Sequence, residues 1–129
     1  MKTALLYSIL SVLLIFSAPA FGQTPGPHGG TLRKASDKYF IEVKVPEQKI
    51  IVYLLDDKLK TVSNKGISGK MKITFPDKST IDVKLRPGID NSFDGGTVND
   101  FFTCRISFNV FGKDVSANFE NQRQIAVDQ

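Results

Sequence analysis

The sequence predicts an all-β protein: an antiparallel, immunoglobulin-like β-sandwich of about seven strands, placed after a cleaved signal peptide. Three observations lead there. Apolar residues recur at every second position along most of the chain past residue 30, the spacing at which successive side chains fall on opposite faces of a strand. Clusters of Gly, Asp, Asn, Ser and Pro interrupt that alternation at intervals suited to hairpins. Beyond the leader, no segment carries the 3.6-residue periodicity of an amphipathic helix.

The leader comes first. Met1-Lys2-Thr3 supplies one positive charge, Ala4 to Phe16 is an apolar run containing two serines, and Ser17-Ala18-Pro19-Ala20-Phe21-Gly22 adds a helix breaker and small residues. This is the order of a secretory signal peptide. The run falls short of the roughly 20 residues that a spanning helix needs, so cleavage is expected rather than membrane insertion. The bond after Ala20 and the bond after Gly22 both fit; the second is preferred, making 1–22 the signal peptide. No cysteine near the site invites a lipid anchor, so the product is expected to be periplasmic or secreted.

Residues 23–30 form a Pro/Gly-rich segment that suits neither a helix nor a central strand. The β-domain proper is assigned to 31–120, beginning with an edge strand at Thr31 to Lys34. Tyr39, Ile41, Val43 and Val45 alternate with polar or outward residues. Ile50 to Leu55 is apolar on both faces, as in a central strand. Met71, Ile73 and Phe75, then Ile81, Val83 and Leu85, alternate on either side of a Pro76-Asp77-Lys78 turn. Phe102, Cys104, Ile106, Phe108 and Val110 give the cleanest alternation, and Val115, Ala117 and Phe119 close the series. Residues 121–129 read as a polar C-terminal tail.

Composition excludes several classes of function. The chain has 129 residues, 41% of them hydrophobic, enough for one packed core. One cysteine cannot form an internal disulfide, and one histidine cannot supply a His-rich metal cage. The net charge of +4 is spread along the chain, and an exported address argues against nucleic acid. A Ser-His-Asp or Cys-His nucleophile would have to be built on His28, with no motif linking the parts. Cys104 sits at an inward strand position, where a thiol behaves as a small hydrophobe. The expectation is a non-enzymatic protein.

Pro27-His28-Gly29-Gly30 is the most distinctive short motif. If the first hairpin turns at Ser36-Asp37, Thr31 lies opposite Glu42, and His28 falls beside the Glu42 carboxylate on a surface. An imidazole and a carboxylate make a two-ligand start for copper or zinc; the bland alternative is that His28 packs at the start of the first strand. An amino-terminal copper motif fails, because Pro25 and Pro27 lack the amide protons it must lose. Asp90-Asn91-Ser92-Phe93-Asp94-Gly95-Gly96 imitates half a calcium loop but lacks the closing glutamate, so a loop capping its own backbone is the better reading. Lys70, Lys72, Lys84 and Arg86 form an outward basic stripe, read as solvated lysines that discourage edge pairing. The segment from Arg86 to Asp100 is read as a loop and as the natural contact for a partner.

With these residues in view, the chain resembles a family of small exported β-domains that begin Pro-His-Gly-Gly and also occur near the N-terminus of periplasmic adaptor subunits of heavy-metal efflux systems. The matching pieces are Pro27-His28-Gly29-Gly30, Ile41-Glu42-Val43, Ile51 to Asp56, and Lys70 to Asp77, within roughly residues 25–110. The resemblance implies an accessory role in metal homeostasis or efflux, with weak binding of a copper or zinc ion at His28 and Glu42 and an efflux component as partner. The chain departs from a strong metal carrier in having no further His or Met near the motif, and it lacks the adaptor's hairpin. The alternative is a structural or protein-interaction module of the cell envelope that holds no metal.

Overall fold

The computed structural model describes residues 24–121; the leader assigned to 1–22 and the tail beyond 121 lie outside the described residues. Among the described residues there are nine strands: β1 (Thr24–Pro25), β2 (Thr31–Lys34), β3 (Tyr39–Lys44), β4 (Lys49–Asp56), β5 (Ser68–Thr74), β6 (Thr80–Pro87), β7 (Phe93–Thr97), β8 (Phe102–Val110) and β9 (Lys113–Asn121). All pairings are antiparallel, and the strands join in one sheet in the order β1-β2-β3-β4-β7-β6-β5-β8-β9. The sheet curls, bringing β9 back against β2 and β3. The protein is therefore all-β, as its alternating pattern requires.

Curling turns one face of the whole sheet inward. Ile41 and Val43 of β3 and Ile50, Val52 and Leu54 of β4 share one cluster with Met71, Ile73, Leu85, Ile106, Phe108 and Phe119 from the other half. The rings of Phe93 and Phe108 meet there at 4.7 Å and 53°. Each such side chain contributes roughly 1.5–3 kcal/mol by leaving water, before conformational entropy is subtracted. β4 lies between β3 and β7 and is buried on both faces, which explains its continuous apolar run.

Two strands depart from the expected seven. β1 is a two-residue edge piece laid along β2. β7 occupies the stretch expected to be a loop between Arg86 and Asp100, and this corrects the sequence reading: β6 runs on to Pro87, a 3-10 turn covers Ile89–Asn91, and Phe93–Thr97 pairs with both β4 and β6. Phe-Asp-Gly-Gly-Thr has little strand propensity. Its glycines are nevertheless suited to their places. A Cβ on Gly95 would stand 2.9 Å from both Ile50 and Met71, and Gly96 adopts φ +87° where the pairing with β4 is bulged.

The first hairpin also differs from expectation. Ala35 and Ser36 both donate to the Tyr39 carbonyl, at 2.9 and 3.1 Å, so the turn holds one residue more than assumed. The register slips by one: Thr31 faces Val43, and Leu32 faces Glu42. Glu42 thus lies between Leu32 on one side and Tyr53 on the other, on the outer face of the sheet.

Candidate functional site

Outward residues of β2, β3 and β4 build a second, smaller apolar cluster. Leu32, Tyr53 and Leu55 form it, with Phe40 and Ile51 against them. In its midst stands Glu42, 0% exposed. A carboxylate in such a place loses several kcal/mol of hydration unless hydrogen bonds replace the water.

The Pro-Gly-rich segment supplies those bonds from its backbone. Gly29 donates to the Gly26 carbonyl at 3.0 Å and Gly26 to the Gly30 carbonyl at 2.9 Å, closing residues 26–30 into a tight loop. The amides of His28 and Gly30 then point at one oxygen, Glu42 Oε2, at 2.9 and 2.8 Å. Two glycines are required by contact. A Cβ on Gly26 would collide with the Glu42 carboxyl group, and one on Gly30 with the Val43 carbonyl. A third, Gly29, sits at φ +84°, in the left-handed region. The other carboxylate oxygen, Oε1, is sealed from solvent with no protein partner among the described residues.

The His28 side chain turns to a different task. Its ring stacks on Tyr53 with centroids 3.7 Å apart and planes inclined by 7°. Its Nε2 shares a 2.7 Å hydrogen bond with Thr61 Oγ1. Thr61 is brought there by the turn that ends β4, where Asp56 Oδ1 accepts the amides of Lys58 and Lys60 and Thr61 bridges to Leu55. The Lys60 amide is the main reason that the Asp56 carboxyl lies below the usual carboxylate range, and the Lys58 amide acts in the same direction. Lys44 Nζ stands 5.8 Å from the Tyr53 ring centre, a cation over the same aromatic face system.

The structure therefore brings His28 and Glu42 together, but not as two side chains turned to a common point in solvent. Glu42 is buried rather than on a surface, and it is the backbone of residue 28 that meets it. Among the described residues, no group of three or more His, Cys, Asp or Glu side chains is placed to hold a metal ion. Thr61 and Tyr53 are the partners that sequence reasoning missed. Tyr53 reaches this place because β4 sets it directly opposite Glu42, a β3–β4 register that the sequence reading did not assign.

The remaining candidates resolve more simply. Asp94 Oδ1 caps the Gly96 amide at 2.8 Å, the self-capping role expected of that stretch. Cys104 is a free thiol, 4% exposed, and burial pushes it up to about 12, so it stays protonated and unreactive at neutral pH. Compared with protein-family models, curated proteins and solved structures, the chain gives no significant match.

Proposed function

We propose that this protein is a non-enzymatic binding module of the cell envelope, exported by its leader, in which Pro27-His28-Gly29-Gly30 is a structural clip. The observation that carries the reading is the double hydrogen bond from the His28 and Gly30 amides to Glu42 Oε2, with the His28 ring laid on Tyr53. A clip of this kind fastens the first residues of the exported chain over the small outer cluster and leaves the sheet surfaces for recognition. The curled sheet is, on this proposal, a two-layered body of the immunoglobulin-like kind; the return of β9 to β2 and β3 supports that view.

A second reading follows the resemblance to the Pro-His-Gly-Gly-led domains of metal-efflux systems: a periplasmic accessory that takes copper or zinc weakly at His28 and Glu42. One observation favours it, the buried and unpartnered Oε1 of Glu42. Titration calorimetry of the exported form with Zn(II) and Cu(II) separates the two. The clip reading predicts no binding heat that depends on His28, together with a lower melting temperature for His28→Ala. Saturable heat that disappears in His28→Ala would establish the metal reading instead.

A further inference from the structure

The strand register gathers four connections at one end of the curled sheet. Tyr39 lies opposite Asp56, Phe93 opposite Val52, Leu85 opposite Gly69 and Asn109 opposite Ser68, so residues 35–38, 57–67, 88–92 and 111–112 all emerge there. Three of the four exposed large hydrophobic side chains among the described residues stand on these connections: Leu59, 38% exposed, Ile89, 83%, and Phe111, 80%. The connections at the opposite end, 45–48, 75–79 and 98–101, carry none. Phe111 takes φ 52° as the first residue of the two-residue turn between Val110 and Lys113, a place that suits Asn or Asp. Leu59 takes φ 63°, and Ile89 leads into Asp90 and Asn91 at φ 55° and 62°. Bulky side chains in or beside left-handed turns are disfavoured locally, and Phe111 and Ile89 gain almost no burial within the chain in return.

These tips are held in fixed places. The Asp56 amide donates to the Lys60 carbonyl at 2.9 Å and the Leu59 amide to the Asp56 carbonyl at 3.0 Å, closing the turn that carries Leu59. Asn64 Nδ2 donates to the Gly88 and Ser92 carbonyls at 3.2 and 3.0 Å, tying that connection to the one that carries Ile89. Lysines accompany the tips: Lys58 and Lys60 flank Leu59, Lys113 follows Phe111-Gly112, and Lys38 and Lys65 stand at the same end, all exposed. Of the carboxylates there, Asp37 pairs with Lys34 at 3.8 Å, Asp56 turns onto the Lys58 and Lys60 amides, and Asp114 accepts from Asn109 at 3.0 Å. Asp57 and Asp90 are left to offset five lysines. A protein partner needs a contiguous apolar centre from which charge is excluded, whereas here lysines separate one apolar tip from the next. An anionic lipid surface accepts that pattern, because the tips enter the boundary between headgroups and acyl chains singly and the lysines meet lipid phosphates beside them.

We propose that this end of the sheet is a docking surface for an anionic lipid bilayer, with Phe111, Ile89 and Leu59 dipping below the headgroups and Lys58, Lys60 and Lys113 on the lipid phosphates. The inference rests on the binding-module reading and names the class of surface bound. The clip of His28, Gly30 and Glu42 takes no part in it.

The test uses the exported form, sedimented with vesicles of mixed phosphatidylglycerol and phosphatidylcholine, or of phosphatidylcholine alone, at low and at physiological salt. Partition into the mixed vesicles is expected, weaker at higher salt and weaker again on phosphatidylcholine alone. Phe111→Asn should bind about tenfold less tightly yet melt no lower than the parent, since Asn suits the left-handed turn. Lys58→Gln/Lys60→Gln should lose about fivefold to tenfold on the mixed vesicles and nothing on phosphatidylcholine. Ile81→Thr removes the fourth exposed hydrophobic side chain, on β6 away from this end, and should bind as the parent does. The inference is overturned if the parent stays in solution beside the mixed vesicles at low salt, or if Phe111→Asn and Ile81→Thr weaken binding alike. A concentration-dependent dimer that Phe111→Asn dissolves would also overturn it, by giving this end to a second copy. The metal titration has its own readout at His28, so failure here and failure of the clip are told apart.

Discussion

Glu42 shows how a single side chain can decide the use of a whole motif. A carboxylate placed between Leu32 and Tyr53 must find donors, and the donors within reach are backbone amides of a loop that only glycine-rich sequence can close so tightly. The charge holds the loop, and the loop covers the charge. Replacing Glu42 by Ala leaves the His28 and Gly30 amides without their acceptor. We predict a loss of about 2–4 kcal/mol, read from urea unfolding at neutral pH. A change below about 0.5 kcal/mol, the range of an ordinary surface substitution, would mean that the clip contributes nothing. The sequence displayed the His-Gly-Gly motif and a facing glutamate, but not their relation. The position of Glu42 depended on the Ala35 and Ser36 amides sharing one carbonyl, a one-residue slip that moves every side chain to a new neighbour.

Strands were readable where packing demands alternation and hidden where it demands smallness. β8, with Phe102 to Val110 inward at every second place, could be assigned from its pattern alone, and so could the doubly buried β4. β7 could not, because Asp94, Gly95 and Gly96 carry turn chemistry and only the end residues, Phe93 and Thr97, favour a strand. Yet β7 joins β4 to β6 and so ties the first half of the sheet to the second. Phe93, fully buried against Phe108, anchors that link. Phe93→Ala should cost about 3–5 kcal/mol in chemical denaturation, a core-sized effect from a stretch that reads as a loop. A loss under about 1 kcal/mol would contradict the bridging role of β7. Turns elsewhere are set by visible signals: Asp77 accepts both the hydroxyl and the amide of Ser79, and these bonds hold its carboxyl below the ordinary range.

Taken together, the molecule has one main core inside the curl and a small satellite outside it, and the N-terminal clip is the cover of the satellite. This division leaves the two sides of the molecule with different surfaces. The β2-β3-β4 side is closed by its own chain, while the β5-β6-β8 side exposes charges of both signs, with Lys70 opposite Lys84 and Lys72 between Asp82 and Arg105. All-β character and the inward set of side chains were accessible from periodicity. Which face is covered and which is left free were not, since both depend on contacts between residues far apart in the chain. The account stands on Glu42 receiving the backbone of residues 28 and 30, and site-resolved amide hydrogen exchange addresses that directly. It predicts that the His28 and Gly30 amides are protected in the parent protein and become exchangeable in Glu42→Ala while β8 remains protected. Exchange of both amides at unfolded-peptide rates in the parent protein would contradict it.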